Sequence, residues 1–288
     1  MKKENLLIGA HVSIAGGFHK AILAGEEIGA TCIQIFTKSN RQWKAKPITK
    51  QEIESFQAQQ KNSSIQVVVA HAAYIINLGS TSHETVEKSV HALVEELKRC
   101  DALKIPYLVV HPGTMHFKDD EQKSLIFIAD QINKVLDQAK PTYVTLLIET
   151  MAGQGSILGY TFKQLATIIH HIKHKKHIAV CLDTCHVFAS GYTFNTPASY
   201  KKMLHDFDEA IGLNMIKAIH MNDSKKDSGT KIDRHEHIGK GKIGANAFTY
   251  ILKDKKFAHV PKILETPQND PVADNKKNMA TLRHYVNN

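Results

Sequence analysis

The chain has 288 residues, 42% of them hydrophobic and 23% charged, and this balance excludes a disordered chain and predicts a large core. Its 37 Lys and Arg exceed its 28 Asp and Glu, and the net charge of +9 fits a polyanionic partner without requiring one. No apolar run approaches the ~20 residues of a membrane-spanning helix, so we expect no such helix.

The start of the chain and the cysteines bear on the compartment. The apolar run near the start covers only Leu6 to Ile8, which is too short for the core of a signal peptide. The cysteines are few for the length and form no CxxC pair; they are Cys32, Cys100, Cys181 and Cys185. We therefore expect no disulfide framework and a protein of the reducing cytoplasm.

Short apolar runs alternate with longer amphipathic stretches along the chain, which is the pattern of consecutive strand–helix units. Eight runs have the apolar character of strands buried on both faces. They are residues 6–10, 32–36, 66–70, 107–110, 144–148, 178–182, 215–219 and 263–264. The pattern predicts an α/β fold, a closed (β/α)₈ TIM barrel that forms a single domain over residues 1–288.

The sequence predicts helices in several of the segments between these strands. Residues 82–103 carry apolar side chains close to 3.6-residue spacing, which predicts an amphipathic helix. Residues 125–136 show the same pattern, and Pro141 lies beyond their end. Residues 162–172 form a third predicted helix, which follows a Gly-rich loop.

A histidine or a carboxylate follows seven of the eight predicted strands. These residues are His11, His71, His111, Glu149, Asp183, His220 and Glu265. In a parallel barrel the strand ends converge on one mouth, where the active sites of this fold lie. Imidazole and carboxylate are common ligands of zinc, manganese and iron, and divalent cations relieve the repulsion among clustered carboxylates. The sequence therefore predicts a metal-dependent active site at the mouth.

Two local motifs add ligands to this set. Asp183 and His186 stand three residues apart just past a strand, and Asp233 and His235 stand two apart, on one side of an extended segment. Neither spacing is specific alone. Cys185 could be a ligand or a nucleophile, but we interpret it as a buried structural thiol.

Seven segments resemble the signatures of the endonuclease IV family, the family 2 of apurinic/apyrimidinic endonucleases. They are GAHVSIAGG, FTKSNRQWKA, IETMAGQGS, CLDTCHVFASGY, AIHMNDSK, KIDRHEHIGKGKIG and ILETP. These motifs are long, occur in order and span nearly the whole chain, from Gly9 to Pro267.

The resemblance implies three zinc ions in the barrel, and all nine ligand positions carry the expected residue types. The groups are His71, His111 and Glu149 for the first ion, Glu149, Asp183, His220 and Glu265 for the second, and His186, Asp233 and His235 for the third. Glu149 would bridge the first two ions. Ligand type alone also admits manganese or iron at some positions.

The implied activity is hydrolysis of double-stranded DNA on the 5′ side of an abasic site, leaving a 3′-hydroxyl and a 5′-deoxyribose phosphate. Removal of blocked 3′ ends is implied as well. Glu149 would orient the attacking water, and Arg41 and Tyr74, in the loop motifs NRQW and HAAY, would fill the gap left by the lost base. Trp43 either contacts DNA or packs its loop onto the barrel. We expect a monomer.

Two other functions compete with this interpretation. A sugar isomerase or epimerase on the same barrel would need one metal, held by Glu149, Asp183, His220 and Glu265. A basic DNA-binding scaffold without activity would need none of these ligands. A one-metal site gives no task to His71, His111, His186, Asp233 and His235, and a scaffold leaves all nine converging ligands unexplained. The Gly-rich segment after Glu149 permits close approach of a phosphate or a tight turn.

Overall fold

Eight parallel strands close into a barrel in the computed structural model, which describes residues 6–287. The described residues contain these eight and two short strands besides; in chain order they are β1 (Ile8–His11), β2 (Cys32–Phe36), β3 (Val67–His71), β4 (Tyr107–Val110), β5 (Thr145–Glu149), β6 (Ile178–Asp183), β7 (Ile216–His220), β8 (Asp223–Ser224), β9 (His235–Glu236) and β10 (Lys262–Leu264). The order around the barrel is β1-β10-β7-β6-β5-β4-β3-β2, and β8 and β9 form a separate antiparallel ribbon. The predicted (β/α)₈ barrel is confirmed.

The described residues also contain helices that follow or precede the strands. They are α1 (Phe18–Glu27), α2 (Lys50–Lys61), α3 (His83–Leu103), α4 (Glu121–Ala139), α5 (Phe162–His171), α6 (Thr184–Ala189), α7 (Pro197–Ala210), α8 (Ala245–Lys253) and α9 (Pro271–Asn287). Several begin where a polar side chain caps a free backbone N–H, as Ser82 does at α3 and Asp120 at α4. None of the described helices combines the length and apolar character needed to span a bilayer.

The predicted strands are all present, and the differences lie at their ends. Five of them extend one residue further than the apolar run, so that a His, Glu or Asp closes the strand. These side chains face the mouth while their backbones still pair, as Asp183 does with His220. The first strand begins at Ile8 rather than at residue 6. Among the helices, α4 extends beyond the predicted 125–136, because Asp120 caps it.

The interior of the barrel is apolar below the mouth. A buried cluster contains Val69, Val109, Leu147, Cys181 and Ala218. Each of these residues lies two positions before His71, His111, Glu149, Asp183 or His220. Because side chains alternate along a strand, the two sets point to the same interior face. The apolar set closes the barrel, and the polar set forms the layer above it.

Lys262 is buried at the start of β10, at the end of the barrel opposite the mouth. Its Nζ donates a hydrogen bond to the carbonyl oxygen of Phe257, and burial lowers the pKa of the ammonium to about 8. Lysine in an unfolded chain titrates near about 10.4. The buried charge therefore costs about 3 kcal/mol below pH 8, and this cost is relieved as the pH rises toward 10.4, because the unfolded chain keeps its proton longer.

Lys262→Met is expected to raise the free energy of unfolding at pH 7 by about 1–2 kcal/mol, since the lost hydrogen bond to Phe257 offsets part of the gain. The difference from the wild type should shrink by pH 10. Urea titrations at both pH values measure it. Lys217→Met, at an exposed position of β7, is the matched control and should show neither effect. If the free energy of unfolding changed equally for Lys262→Met and wild type between the two pH values, Lys262 would not be the group that causes the pH dependence.

Candidate metal centre at the barrel mouth

Glu149 lies at the centre of the mouth, at the end of β5, and is fully buried. Its Oε2 lies 3.3 Å from Nε2 of His71 and 3.2 Å from Nε2 of His111. Its Oε1 lies 3.2 Å from Nδ1 of His186 and 3.1 Å from Nδ1 of His220. Each oxygen faces a different pair of imidazoles, an arrangement that suits a carboxylate shared between two cations.

Two further carboxylates surround His220. Its Nδ1 lies 3.2 Å from Oε2 of Glu265 and 3.7 Å from Oδ2 of Asp183. One ligand atom from each of these three residues and one from Glu149 lie within 4.8 Å of one another. The structure therefore brings the second predicted group together. The first group, with His71 and His111 beside Glu149, is also close enough to hold one ion.

Asp233 lies between two imidazoles and forms the third group with them. Its Oδ2 is 3.2 Å from Nε2 of His186, and its Oδ1 is 3.3 Å from Nε2 of His235. Asp183 also approaches this group, with Oδ2 3.8 Å from Nε2 of His235. The sequence places Asp183 in the second group only, whereas in the structure it stands beside both.

Four of the candidate imidazoles are fixed by a hydrogen bond from one ring nitrogen to an oxygen. The pairs are His71 Nδ1 with Ala72 O at 2.7 Å, His186 Nδ1 with Thr150 O at 2.8 Å, His235 Nδ1 with Glu265 O at 3.0 Å and His220 Nε2 with Gln34 Oε1 at 2.8 Å. Because these oxygens can only accept, the bonded nitrogen donates a proton, and the other ring nitrogen is the candidate ligand atom. Histidines that bind metals are commonly oriented in this way.

Two ring nitrogens of the third group, Nε2 of His186 and Nε2 of His235, are buried and have no hydrogen-bond partner among residues 6–287. Asp233 lies within 3.3 Å of each, but the directions do not suit a hydrogen bond. A buried polar atom left unpaired costs about 1–3 kcal/mol. Two such nitrogens converging on one carboxylate fit a divalent cation.

The electrostatics of the mouth favour positive charge. Burial by itself raises the pKa of Glu149, but His220 and His111 outweigh it and hold that pKa well below its ordinary value. Burial opposes the charged form of Asp233 too, yet its imidazole neighbours lower its pKa to about 2. The pKa of His220 is raised well above its ordinary value, because Cys181, Glu265 and Glu149 outweigh burial. The carboxylates thus stay ionised and stabilise a cationic neighbour.

Comparisons with known proteins show to which family this chain belongs. The family model described as a xylose isomerase-like TIM barrel matches residues 22–285. A protein of Chloroflexus aggregans named "Probable endonuclease 4" is 44% identical over 278 residues, 96% of this chain and 97% of that protein. The chain belongs to the endonuclease IV family. The crystal structure of endonuclease IV from Thermus thermophilus matches with a TM-score of 0.86 at 32% identity, covering 97% of this chain and 98% of that one.

Solved structures of low sequence identity share the barrel of this endonuclease IV family member. The crystal structure of a D-tagatose 3-epimerase-like protein covers 97% of each chain with a TM-score of 0.74, but at 18% identity. A likeness at that identity shows the fold alone. The arrangement of ligands, and not the barrel, must therefore distinguish a nuclease from an epimerase.

Gln34 contacts the candidate metal centre of this endonuclease IV family member, and the sequence analysis did not identify it. It lies fully buried in β2, where its Oε1 accepts from His220. Its Nε2 lies 2.6 Å from Oε1 of Glu265 and 3.0 Å from Nδ1 of His11. The sequence feature that could have identified Gln34 is an amide side chain inside an apolar strand, two residues before the strand ends. His11, whose role the sequence left open, lines a cavity of about 350 Å³ beside these contacts.

The structure bears on two alternatives that the sequence leaves open. Burial raises the pKa of Cys185 to about 12, which supports a structural thiol over a thiolate ligand, although its Sγ lies near Asp233 and His235. In the Gly-rich segment after Glu149, Gly153 has φ +86°, and a Cβ there would lie 2.8 Å from the Tyr160 ring. This segment forms a tight turn.

The two predicted DNA-contacting side chains lie in the loops that follow β2 and β3. Tyr74 is 55% exposed, and its ring centroid lies 5.3 Å from that of His71 and 5.9 Å from that of His111. It therefore stands beside the first ligand group. Arg41 is exposed in the loop after β2. In the same loop Trp43 is partly buried and packs against the core, which favours its packing role.

Proposed function

We propose that this protein is a DNA-repair endonuclease that hydrolyses the phosphodiester bond 5′ to an abasic site, leaving a 3′-hydroxyl and a 5′-deoxyribose phosphate, and that it also removes blocked 3′ ends. Membership of the endonuclease IV family supports hydrolysis of DNA. In this proposal residues 1–288 form one catalytic domain, which acts as a monomer in the cytoplasm and binds three zinc ions.

The observation that carries the proposal is the third ligand group beside Glu149. A one-metal epimerase would use Glu149, Asp183, His220 and Glu265, and the structure holds these four together. That alternative gives no task to the buried, unpaired nitrogens of His186 and His235. A centre for several cations accounts for all three groups, and clustered cations are typical of enzymes that cleave phosphodiesters.

The chain's own residues supply position and charge for this chemistry. Zinc ions held by the three groups would supply activation of a water and neutralisation of charge on the phosphate. Glu149, ionised and buried between two pairs of imidazoles, would orient the attacking water. The apolar layer below excludes water from the floor of the site. We assign no nucleophilic role to Cys185, because burial raises the pKa of its thiol.

Recognition of an abasic site requires side chains that detect a missing base. Such a site lacks a base edge to read, so the enzyme must sense the gap and the flexible backbone around it. Tyr74 offers an exposed ring next to the candidate metal centre, and Arg41 offers an exposed guanidinium on the neighbouring loop. We propose that these two side chains enter the gap.

Arg41→Ala and Tyr74→Ala are each expected to weaken binding to abasic duplex by about fivefold to a hundredfold, the scale of one stacking contact. Binding to intact duplex should change less, since phosphate contacts dominate it. Titrations of both duplexes at one salt concentration measure this, with metal content checked because Tyr74 adjoins His71. Tyr143→Ala, which removes an exposed tyrosine before β5, serves as control. Equal losses on both duplexes would make these residues ordinary backbone contacts.

The proposed function is tested by elemental analysis beside a nicking assay. The purified protein should hold about three divalent ions per chain, mainly zinc. It should nick an abasic duplex once, on the 5′ side, and lose this activity slowly in a strong chelator. If a preparation with one ion were fully active on a ketose and inactive on abasic DNA, the nuclease proposal would be rejected in favour of the epimerase.

A further inference from the structure

A buried carboxylate lies beneath the two loops that carry Arg41 and Tyr74. It belongs to Glu96 of α3, which is 1% exposed. One oxygen, Oε2, accepts a hydrogen bond from the hydroxyl of Thr37, in the loop after β2. The other, Oε1, accepts from the backbone N–H of Ala73, in the loop after β3, at 3.3 Å. The two oxygens of one side chain thus join the two loops.

The loop after β2 is fixed to α3 at further points. Nζ of Lys38 donates to the carbonyl of Trp43 at 2.8 Å and lies 3.8 Å from Glu95 and 4.0 Å from Glu96. The guanidinium of Arg99 donates to the carbonyl of Thr37 from Nε at 3.1 Å, and to that of Lys46 from Nη1 at 2.8 Å. Both ends of the segment that contains Arg41 are therefore held by one helix.

A purely structural role explains Glu96 poorly. A carboxylate at this depth is costly to desolvate, and its ion pair with Lys38, at 4.0 Å, offsets only part of that cost. The two hydrogen bonds of the Glu96 side chain lead only to the two loops. What the carboxylate adds to the fold is thus a fixed spacing between these loops. Ala73 directly precedes Tyr74, so this spacing determines where the Tyr74 ring stands relative to the segment of Arg41.

We propose that Glu96 is a positioning residue for damage recognition, which holds the two loops at the spacing that lets Arg41 and Tyr74 enter one gap together. This inference rests on the proposed function. Glu96 touches neither the DNA nor the candidate ligands. It acts through Thr37 and Ala73, and its effect falls on discrimination between abasic and intact duplex.

The experiment compares Glu96→Gln and Thr37→Val with the wild type. In Glu96→Gln the amide oxygen can still accept from Ala73, but Thr37 would have to accept from an uncharged NH₂ group instead of donating to a carboxylate, which weakens that bond, and Thr37→Val removes it altogether. Each variant should lower the ratio of abasic to intact affinity by about fivefold to fiftyfold, with the loss in KM rather than kcat. Glu87→Gln, at an exposed position of the same helix, should keep the wild-type ratio.

A double-mutant cycle separates positioning from general destabilisation. Arg41→Ala and Tyr74→Ala should be non-additive in the wild type, because both side chains occupy one gap, and closer to additive with Glu96→Gln. Wild-type discrimination and unchanged coupling in both Glu96→Gln and Thr37→Val would overturn the proposal. Loss of stability without loss of discrimination would do the same. If the wild type itself did not prefer abasic duplex, the proposed function would fail first, whatever the variants showed.

Discussion

Glu149→Gln is expected to lower turnover on abasic duplex by about three or more orders of magnitude, the scale of removing a central catalytic group. The amide keeps the shape of the side chain but has no charge and only one oxygen to share. One of the two imidazole pairs, that of His71 and His111 or that of His186 and His220, would then face an NH₂ group. Single-turnover nicking with saturating enzyme measures the effect.

The matched control is Glu236→Gln, in the nearby β9, whose carboxylate lies 3.9 Å from Lys225 and belongs to none of the three groups. It should stay near wild-type turnover. Binding of the Glu149→Gln protein to abasic duplex should largely survive, because the proposed gap-filling residues are untouched. Turnover within about tenfold of the wild type would contradict the role assigned to Glu149.

Asp233→Asn is expected to remove one cation and to lower turnover by about 100- to 1,000-fold, the scale of losing one charge-stabilising element. The carboxylate is the only acidic side chain between Nε2 of His186 and Nε2 of His235 within 3.3 Å of both, in the described residues. An asparagine there offers a weaker, uncharged oxygen. The metal content should fall from about three ions to about two.

Elemental analysis and nicking of the same preparation measure both parts of this prediction. Asp227→Asn, an exposed position of the same loop, should change neither. A full complement of metal with full turnover would exclude Asp233 as a ligand. Retained turnover with two ions would show that the reaction needs only the groups around Glu149. It would weaken the argument that uses the third group against a centre with fewer metals.

The layer of ligands could be predicted from the sequence because it follows from strand geometry. Each apolar run points its alternate side chains inward, so the polar residue at its end must also reach the interior face. The resemblance to the endonuclease IV family then assigned these residues to groups. Asp183 shows the limit of that reasoning, since its position beside two groups depends on how the loop of Asp233 folds back over the mouth.

Contacts that support the centre were harder to predict. Gln34 reads as one polar residue in an apolar run, and nothing in its neighbours reveals that His220 and Glu265 lie across the barrel. Glu96 gave a weak signal, because it falls three residues after Leu93, on the buried face of α3. Partners of a buried carboxylate are separated from it by many residues in sequence, so only the folded chain identifies them.

Three of the four ring orientations in the centre depend on the main chain. The acceptors for His71, His186 and His235 are backbone carbonyls, which every amino acid possesses, so substitutions at Ala72 or Thr150 leave them in place. His220 depends instead on the side chain of Gln34. A substitution at Gln34 would therefore remove the one side-chain acceptor among these four, whereas the other three orientations require no particular side chain.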